Sequence, residues 1–270
     1  MFFRYSFDQR VDFVGAGGLG QVFKARDLLL GTTVALKQIN WARLGVEAPE
    51  GEWLREKLIN NLFVEAKAHA RLSQLTNHVV EVSNVGFENS CHFLAMEWME
   101  GGSLRGKGGK LPFTEVQSII RQAADGLRVA HAHGVLHCDI SPDNILSTGR
   151  HSYKLSDFGL LNLVNTHLVS NGGPSLLRGG KEYWLPTVVL TGEEQPSTWS
   201  DLYGLALVFH NLLTGELLTH NKGMPFVVEP LKRGAVDLPA IVAVFLRDVF
   251  TRRISSAELF SQRLSSIALP

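Results

Sequence analysis

The first hundred residues alternate short apolar segments with turn-forming residues. Such segments, rich in β-branched and aromatic side chains and bounded by glycine or polar clusters, are typical of strands. Five of them occur, at residues 11–15, 22–25, 33–39, 79–87 and 92–98. The pattern therefore predicts a small antiparallel sheet.

A helical pattern separates the third predicted strand from the fourth. Across residues 51–72, apolar positions recur at spacings of three and four, which is the period of one helix face. One helix is therefore expected to pack on the sheet. Gly101 and Gly102 then interrupt the pattern, and glycine pairs are typical of boundaries. We predict two lobes, one at residues 1–100 and the other at 101–270.

The second predicted lobe is mainly helical. Thr114 and Gln117 have the spacing of a capping box in front of a long apolar stripe that ends before Gly134. Another apolar helix is predicted over residues 201–213, and Ser255 with Glu258 is expected to cap a last helix. Together the two halves predict an α+β fold.

Composition excludes several classes of partner. The 270 residues carry 26 basic and 26 acidic side chains, so no net field attracts nucleic acid or an anionic membrane. Two cysteines are too few for a disulfide framework. The longest apolar run, at 240–246, is far shorter than the roughly 20 residues that cross a bilayer. We expect a cytoplasmic protein that binds no nucleic acid and does not insert into membranes, and the sequence leaves its oligomeric state open.

Gly15, Gly17 and Gly20 form a G-x-G-x-x-G motif before Val22. Glycines let backbone N–H groups approach phosphate oxygens, although a simple turn between strands explains many isolated matches. A dinucleotide site would require a helix after the last glycine, whereas residues 21–25 predict a strand. A hairpin that covers phosphates fits the pattern better.

Lys37 follows on the next strand, within the sequence Val-Ala-Leu-Lys. From this strand an ammonium group can reach the α- and β-phosphates of a nucleotide, although an exposed strand lysine is the simpler alternative. Its expected carboxylate partner is Glu65 on the predicted helix, with Glu56 and Glu52 as weaker candidates.

The strongest signal is His137-Cys138-Asp139 followed by Asn144, with Asp157-Phe158-Gly159 thirteen residues beyond Asn144. Two carboxylates and an amide that flank a short hairpin supply one acceptor for a hydroxyl proton and two oxygen ligands for Mg²⁺. Because the glycine motif and Lys37 precede them in the required order, chance assembly is improbable.

These motifs resemble the eukaryotic-type protein kinase family, especially the compact serine/threonine kinases of bacteria. The resemblance covers nearly the whole chain and implies two lobes with ATP between them. It implies that Asp139 is the catalytic base, that Lys37 and Glu65 position phosphates, and that Asn144 and Asp157 bind Mg²⁺. The remaining ATP contacts that it implies are Gly15, Ala16, Gly17 and Gly20 in the glycine motif, Val22, Ala35 and Leu146 around adenine, and Met96, Glu97 and Met99 at the gatekeeper and hinge.

The resemblance also assigns two residues near the end of the family pattern. Asp201 matches a buried aspartate that holds the catalytic loop, and Arg253 matches a late arginine. Thr187 stands where a glutamate would pair with that arginine, so the usual ion pair cannot form.

Three departures lie in or near the catalytic loop. Cys138 replaces an arginine that reads activation-segment phosphate, so activation should not require phosphate on Thr166, Ser170 or Ser175. Ser141 replaces a lysine, and Gly180 replaces the threonine that would bond to it.

Three functions are therefore weighed. The leading hypothesis is a serine/threonine protein kinase, slowed by Ser141, that uses Mg·ATP and acts on a protein substrate or regulatory protein. One alternative is a nucleotide-binding pseudokinase scaffold, and another is a small-molecule phosphotransferase.

Overall fold

The structure is a computed structural model that describes residues 4–16, 20–39, 52–88, 91–158, 181–218, 220–221, 224–225, 231–233 and 236–267. These residues form two compact units. The described residues up to 100 belong to the first unit, and those at 101–158 and from 181 onward belong to the second.

An antiparallel sheet and one long helix make up the first unit. The sheet order is β1-β3-β4-β6-β5, and β2 also pairs with β3. The helix α1, Glu52–Leu75, packs against β5. The strands are β1 Tyr5–Ser6, β2 Phe13–Ala16, β3 Gly20–Asp27, β4 Thr32–Ile39, β5 Val82–Glu88 and β6 Cys91–Glu97.

The two faces of this sheet have different chemistry. Residues directly opposite each other in an antiparallel sheet share a face, and side chains alternate along each strand. Leu36 lies opposite Phe23 and Ala95, and its face forms a buried apolar cluster with Tyr5 and Phe93. The other face carries the candidate site residues Val22, Ala35, Lys37 and Met96 together with Leu94.

A partly buried ion pair holds Asp27, the last residue of β3 before the turn to β4. The Arg4 guanidinium donates to Asp27 Oδ2 from Nε at 3.0 Å and from Nη2 at 2.7 Å. Asp27 Oδ1 accepts hydrogen bonds from the backbone N–H groups of Leu29 and Leu30. The hydrogen bonds from Arg4 are the main cause that holds the Asp27 pKa below its usual value.

The second unit is mainly helical. Its helices are α2 Phe113–Ala132, α3 Thr187–Leu190, α4 Thr198–Thr214, α5 Ala240–Phe250 and α6 Ala257–Ser265. A three-stranded sheet joins β7 Gly102–Ser103, β8 Ile145–Ser147 and β9 Tyr153–Leu155. Two short pairs follow, β10 His220–Asn221 with β11 Met224–Pro225 and β12 Lys232–Arg233 with β13 Val236–Asp237.

The helix α4 is the centre of this unit. Ser197 and Ser200 form a capping box at its start, so it begins three residues before the predicted Asp201. Gly215, with φ of 83°, ends it in the left-handed conformation that glycine adopts at little cost. All but a few of its residues are buried, and α2 and α5 pack against it.

Two predicted caps are wrong. No side chain caps α2, because Pro112 precedes it, and the Gln117 side chain instead donates to the carbonyls of Leu264 and Ile267. The cap of α6 is Ser256, whose hydroxyl accepts from Leu259 N, and not Ser255. Gln117 therefore joins α2 to the end of α6.

The predicted α+β class, with an antiparallel sheet followed by a mainly helical part, is confirmed. Among the helices of the described residues, none has the length and apolar composition needed to cross a membrane.

The Asp27 ion pair yields a prediction of pH-dependent stability. A carboxylate with a lowered pKa stabilises the fold above its unfolded-state pKa, and that contribution is lost as the pH falls through the native value. The Asp27→Asn variant should be destabilised by roughly 1–3 kcal/mol at pH 7. Urea unfolding should show this difference shrinking as the pH falls below about 4. A constant difference down to pH 2.5 would contradict the role assigned to the charge.

Candidate active site

Asp139 and Asn144 lie together in the segment between α2 and β8. The Asn144 amide Nδ2 donates to the Asp139 carbonyl at 2.7 Å and to Asp139 Oδ2 at 2.8 Å. Both residues are buried. The amide therefore fixes the orientation of the carboxylate that the sequence identified as the candidate base.

The same two hydrogen bonds determine what Asn144 can offer to a cation. Because Nδ2 is used twice, the amide orientation is set and Oδ1 is the remaining side-chain oxygen. Amide and carboxylate oxygens are the ligands that Mg²⁺ prefers, usually from only one or two side chains beside substrate phosphates. The donor set of Asn144 and Asp157 thus fits Mg²⁺ in chemical type.

The β8–β9 hairpin brings Asp157 towards Asn144. Ile145 pairs with Leu155, and the backbone N–H of Ser156 donates to the Asn144 carbonyl at 2.9 Å. Asp157 follows with φ of 59°, a conformation that is uncommon outside glycine. Such backbone strain is concentrated at functional sites, where the surrounding contacts maintain it.

Asp201 holds the start of the segment at residues 137–144, the candidate catalytic loop. Its Oδ2 accepts from His137 N at 2.9 Å, and its Oδ1 accepts from Cys138 N at 2.8 Å. The Nε2 atom of His131, on α2, lies 2.8 Å from Oδ2. The expectation that Asp201 holds this loop is confirmed, because its carboxylate accepts two backbone hydrogen bonds from the loop. The His131 ring is the third partner of this buried carboxylate.

His137 connects the segment to Asp157 and Phe158. Its ring lies 4.5 Å from the Phe158 ring, centroid to centroid. Burial lowers the His137 pKa, although the charges of Asp201, Asp139 and Asp157 oppose that effect. The neutral imidazole can therefore accept the Asp139 N–H at Nδ1, which it does at 3.2 Å.

Gly204 allows α4 to approach the segment closely. A Cβ at this position would lie 3.0 Å from the Trp184 carbonyl oxygen and 3.1 Å from Ile140 Cβ. Real Cβ atoms rarely approach backbone so closely, so any larger residue here would displace the segment.

The candidates in the first unit lie on one face of its sheet. Lys37 is only 6% exposed, so it is not the exposed strand lysine that the simpler alternative required. Val22 lies opposite Lys37, and Met96 lies opposite Ala35. Met96 and Met99 are buried.

Glu97 and the glycine motif complete the first-unit candidates. Glu97 exchanges backbone and side-chain hydrogen bonds with Glu81, which fixes the end of β6. Gly15 and Ala16 lie in β2 and Gly20 begins β3. A Cβ at Gly15 would meet nothing within 4 Å. Gly17 lies outside the described residues.

Five further predicted positions lie wholly or partly outside the described residues, and one more lies in the second unit. The side chain of Glu65 lies outside the described part of the chain, as do Thr166, Ser170, Ser175 and Gly180. Leu146 lies in β8 of the second unit, partly buried, opposite Ser103.

The departures from the family pattern have clear positions. Cys138 has φ of 61° and is partly exposed. Ser141 is fully buried, and its Oγ has no hydrogen-bond partner among the described residues.

Arg253 and its neighbour Arg252 each form an ion pair. Arg253 lies 3.4 Å from Asp248, whereas its neighbour Arg252 lies 2.6 Å from Glu194 and 4.0 Å above the Trp199 ring. The expectation that Arg253 lacks its usual partner agrees with this arrangement. A different carboxylate and the neighbouring arginine connect the same two segments.

Sequence reasoning missed two residues that position the segment. His131 gave no signal, since a histidine near a helix end is common. Gly204 could have been noticed, because a glycine inside an apolar helix often marks close packing.

Comparisons with known proteins agree with this geometry. A model of the protein kinase domain matches residues 9–239. The chain is 30% identical to the probable serine/threonine-protein kinase pknA2 of Bifidobacterium longum over 86% of its own length and 29% of that protein. It is 32% identical to the serine/threonine-protein kinase PknL of Mycobacterium tuberculosis over 75% of its length and 48% of that protein. The chain thus spans less than half the length of these relatives.

The His131–Asp201 contact yields a prediction, with a control histidine two residues further along the chain. His131→Ala should lower the free energy of unfolding by roughly 1–3 kcal/mol, because Asp201 would lose one of its three donors while buried. His133→Ala, at the exposed residue directly after α2, should change it by no more than about 0.5 kcal/mol. Denaturant unfolding measures both, and equal effects would show that the contact with Asp201 contributes nothing.

Proposed function

This chain belongs to the protein kinase family, and on that premise we propose that it transfers the γ-phosphoryl group of Mg·ATP to serine or threonine hydroxyls of a protein. The observation that carries the proposal is the Asp139–Asn144 pair, held in place by the buried Asp201. Relatives described as serine/threonine-protein kinases support the choice of acceptor.

Asp139 is the proposed base. A substrate hydroxyl that donates a hydrogen bond to its carboxylate would be oriented for attack on the γ-phosphorus. Its proton would pass to the carboxylate as the new P–O bond forms, while the bond from the γ-phosphorus to the bridging oxygen breaks and ADP leaves with that oxygen. The hydrogen bond from Asn144 sets the direction of the carboxylate before the substrate arrives. Because the carboxylate is already oriented, no free energy is needed to reorient it as the reaction reaches its transition state.

Asn144 and Asp157 are the proposed Mg²⁺ ligands, and the bound ion would supply charge neutralisation at the phosphate oxygens. The hydrogen bonds of Asn144 to Asp139 link the base to the metal ligand, so one amide would position both functions. The strained backbone of Asp157 is explained if its carboxylate must be presented at one place.

Lys37 is the proposed phosphate-positioning cation, with Glu65 as its partner. Its face of the sheet would also contact adenine through Val22, Ala35 and Met96, which share that face. We assign Leu146, Glu97 and Met99 to the same adenine site. The open space around Gly15 fits a backbone that approaches phosphates, and Ala16, Gly17 and Gly20 complete that loop.

We propose that catalysis is slow. Ser141 stands where the family uses a lysine, and a serine hydroxyl carries no positive charge to stabilise the transferring phosphoryl group. Loss of one such donor typically costs about 10²–10³ in rate. The loss of that lysine and of the threonine at Gly180 also motivates the alternative of a nucleotide-binding pseudokinase. Retention of the Asp139–Asn144 pair and of a buried Lys37 favours activity.

Incubation of the purified protein with Mg·ATP and protein substrates, followed by phosphosite mass spectrometry, tests the proposal. Lys37→Met should abolish transfer and leave the fold intact, because methionine keeps the apolar stem of the side chain. The matched control is Lys24→Met, since Lys24 lies on the same sheet face but is exposed, with its Nζ 4.7 Å from the Trp98 ring centroid.

The outcomes separate the three functions. Transfer to protein that is lost in the Lys37→Met variant but kept in the Lys24→Met variant supports a protein kinase. Nucleotide binding without any transfer supports the pseudokinase, and phosphate found only on small hydroxylated metabolites supports the small-molecule enzyme. Undiminished transfer by the Lys37→Met protein would remove the role assigned to this lysine.

A double-mutant cycle tests the proposed slow rate. Ser141→Lys with Gly180→Thr should raise kcat more than the two single changes combined, because the threonine would orient the new ammonium group. Thermal unfolding of each variant checks that the buried position 141 tolerates lysine. Additive or harmful effects in folded variants would show that another group already serves the site.

A further inference from the structure

A short basic segment, residues 105–110, lies beside the catalytic loop. It contains Arg105, Lys107 and Lys110 and no acidic residue, in a chain whose total charge is zero. All three cations are exposed. No step of the proposed phosphoryl transfer uses them, so their concentration at this place has a different explanation.

One end of the segment is fixed to the catalytic loop. The backbone N–H of Leu104 lies 3.0 Å from the Pro142 carbonyl and 3.1 Å from the Ile145 carbonyl, which flank Asn144. The preceding strand β7 pairs with β8 through Ser103 and Leu146. The backbone at Arg105 is therefore held close to Asn144, the proposed metal ligand.

The other end is fixed to α4. Lys107 N donates to the Leu104 carbonyl and Lys110 N to the Lys107 carbonyl, which makes two successive turns. Gly109 N donates to the Leu212 carbonyl at 3.0 Å. A Cβ on Gly109 would lie 3.1 Å from Gly215 Cα, so the contact requires glycine. The three cations thus project from a fixed backbone.

Arg105 also forms an ion pair with the catalytic loop. Its Nε lies 2.5 Å from Asp143 Oδ1, and Asp143 is four residues after Asp139 and directly before Asn144. The Arg105 side chain remains 76% exposed and that of Asp143 32% exposed. The pair therefore offsets the one negative charge of the 3-10 turn Pro142–Asn144, while the guanidinium stays accessible.

Lys107 and Lys110 differ from Arg105 in their pairing. Neither makes an ion pair with any residue in the described ranges. Arg105, Lys107 and Lys110 against Asp143 leave a formal net charge of +2 on residues 105–110 and the turn Pro142–Asn144. Exposed charge patches of one sign attract partners of the other sign and determine which partners are rejected.

We propose that the basic segment binds aspartate and glutamate side chains of the substrate next to the phosphorylated serine or threonine. This inference rests on the proposed function and names its substrate class. Arg105 has a second role in it, because it covers a carboxylate that would otherwise repel acidic substrates and attract basic ones.

Three peptides that share one acceptor serine test the proposal, with acidic, neutral or basic flanking residues. The parent protein should phosphorylate the acidic peptide about tenfold more efficiently than the neutral one, chiefly through a lower KM, since two or three exposed charge pairs supply only modest affinity. The preference should decrease at 0.5 M salt.

Charge-reversed variants locate the effect. Lys107→Glu with Lys110→Glu should abolish or reverse the acidic preference. The control, Arg121→Glu with Arg263→Glu, changes total charge equally at exposed positions on α2 and α6 and should keep the preference. Loss of the preference in both double variants would assign it to net charge and overturn the proposal.

Arg105 and Asp143 form a separate cycle. Arg105→Ala should shift the preference towards the basic peptide, because it uncovers the Asp143 carboxylate, and Asp143→Asn in that background should remove the gain. An Arg105→Ala protein with the parent's preference would show that the pair has no part in selecting substrates.

A binding measurement distinguishes failure of this inference from failure of the proposed function. Fluorescence anisotropy follows a labelled acidic peptide in which alanine replaces the acceptor serine, so no transfer is needed. If the peptide binds through Lys107 and Lys110 but no peptide is phosphorylated, the proposed kinase activity is rejected. The inference that this segment binds acidic side chains then still stands. Phosphorylation of all three peptides at equal efficiency, with no such binding, would overturn the inference alone.

Discussion

The position of residues 137–144 depends on hydrogen bonds to the buried carboxylate of Asp201. A carboxylate removed from water is costly unless hydrogen bonds replace its hydration. Here two backbone N–H groups of the segment and the His131 ring provide them. Because α4 is buried nearly throughout, it cannot shift without disturbing the core, and the segment that Asp201 holds inherits that rigidity.

Rigidity at Asp201 also explains how unfavourable backbone conformations persist. Cys138 and Asp157 both have positive φ, although neither is glycine. Each such residue costs on the order of 1–3 kcal/mol and requires compensation from its surroundings. At Cys138 the hydrogen bond to Asp201 compensates directly. Around Asp157, the Ser156–Asn144 hydrogen bond and the packing of Phe158 on His137 hold the chain on both sides.

The departures from the family pattern differ in what replaces the missing group. Thr187 stands where the family has a glutamate that pairs with the late arginine. In this chain the Arg252–Glu194 pair, with Arg252 also over the Trp199 ring, joins the regions around residues 187 and 253. Where Ser141 removes a cation, no hydrogen-bond partner for its hydroxyl is found in the described residues. Another arginine and another carboxylate thus connect these regions, whereas Ser141 itself supplies no positive charge at the proposed reaction centre.

Local patterns were sufficient to predict the α+β class, the sheet with one helix in the first unit, and the long helices that begin near residues 114 and 201. Apolar periodicity, glycine pairs and motif spacing depend on neighbours in the chain, so a sequence displays them directly. The same local view gave the wrong caps, because Gln117 is used by the end of α6 and not by its own helix.

Only the tertiary structure decided which side chains satisfy one another. The contact of His131 with Asp201 spans 70 residues of sequence, and the closeness of Gly204 to Ile140 depends on how a helix meets a loop. The burial of Lys37 depends on strands that pair across the sheet, and the Arg105–Asp143 pair depends on how β7 lies beside β8. These contacts follow from packing geometry between distant segments, which no local pattern encodes.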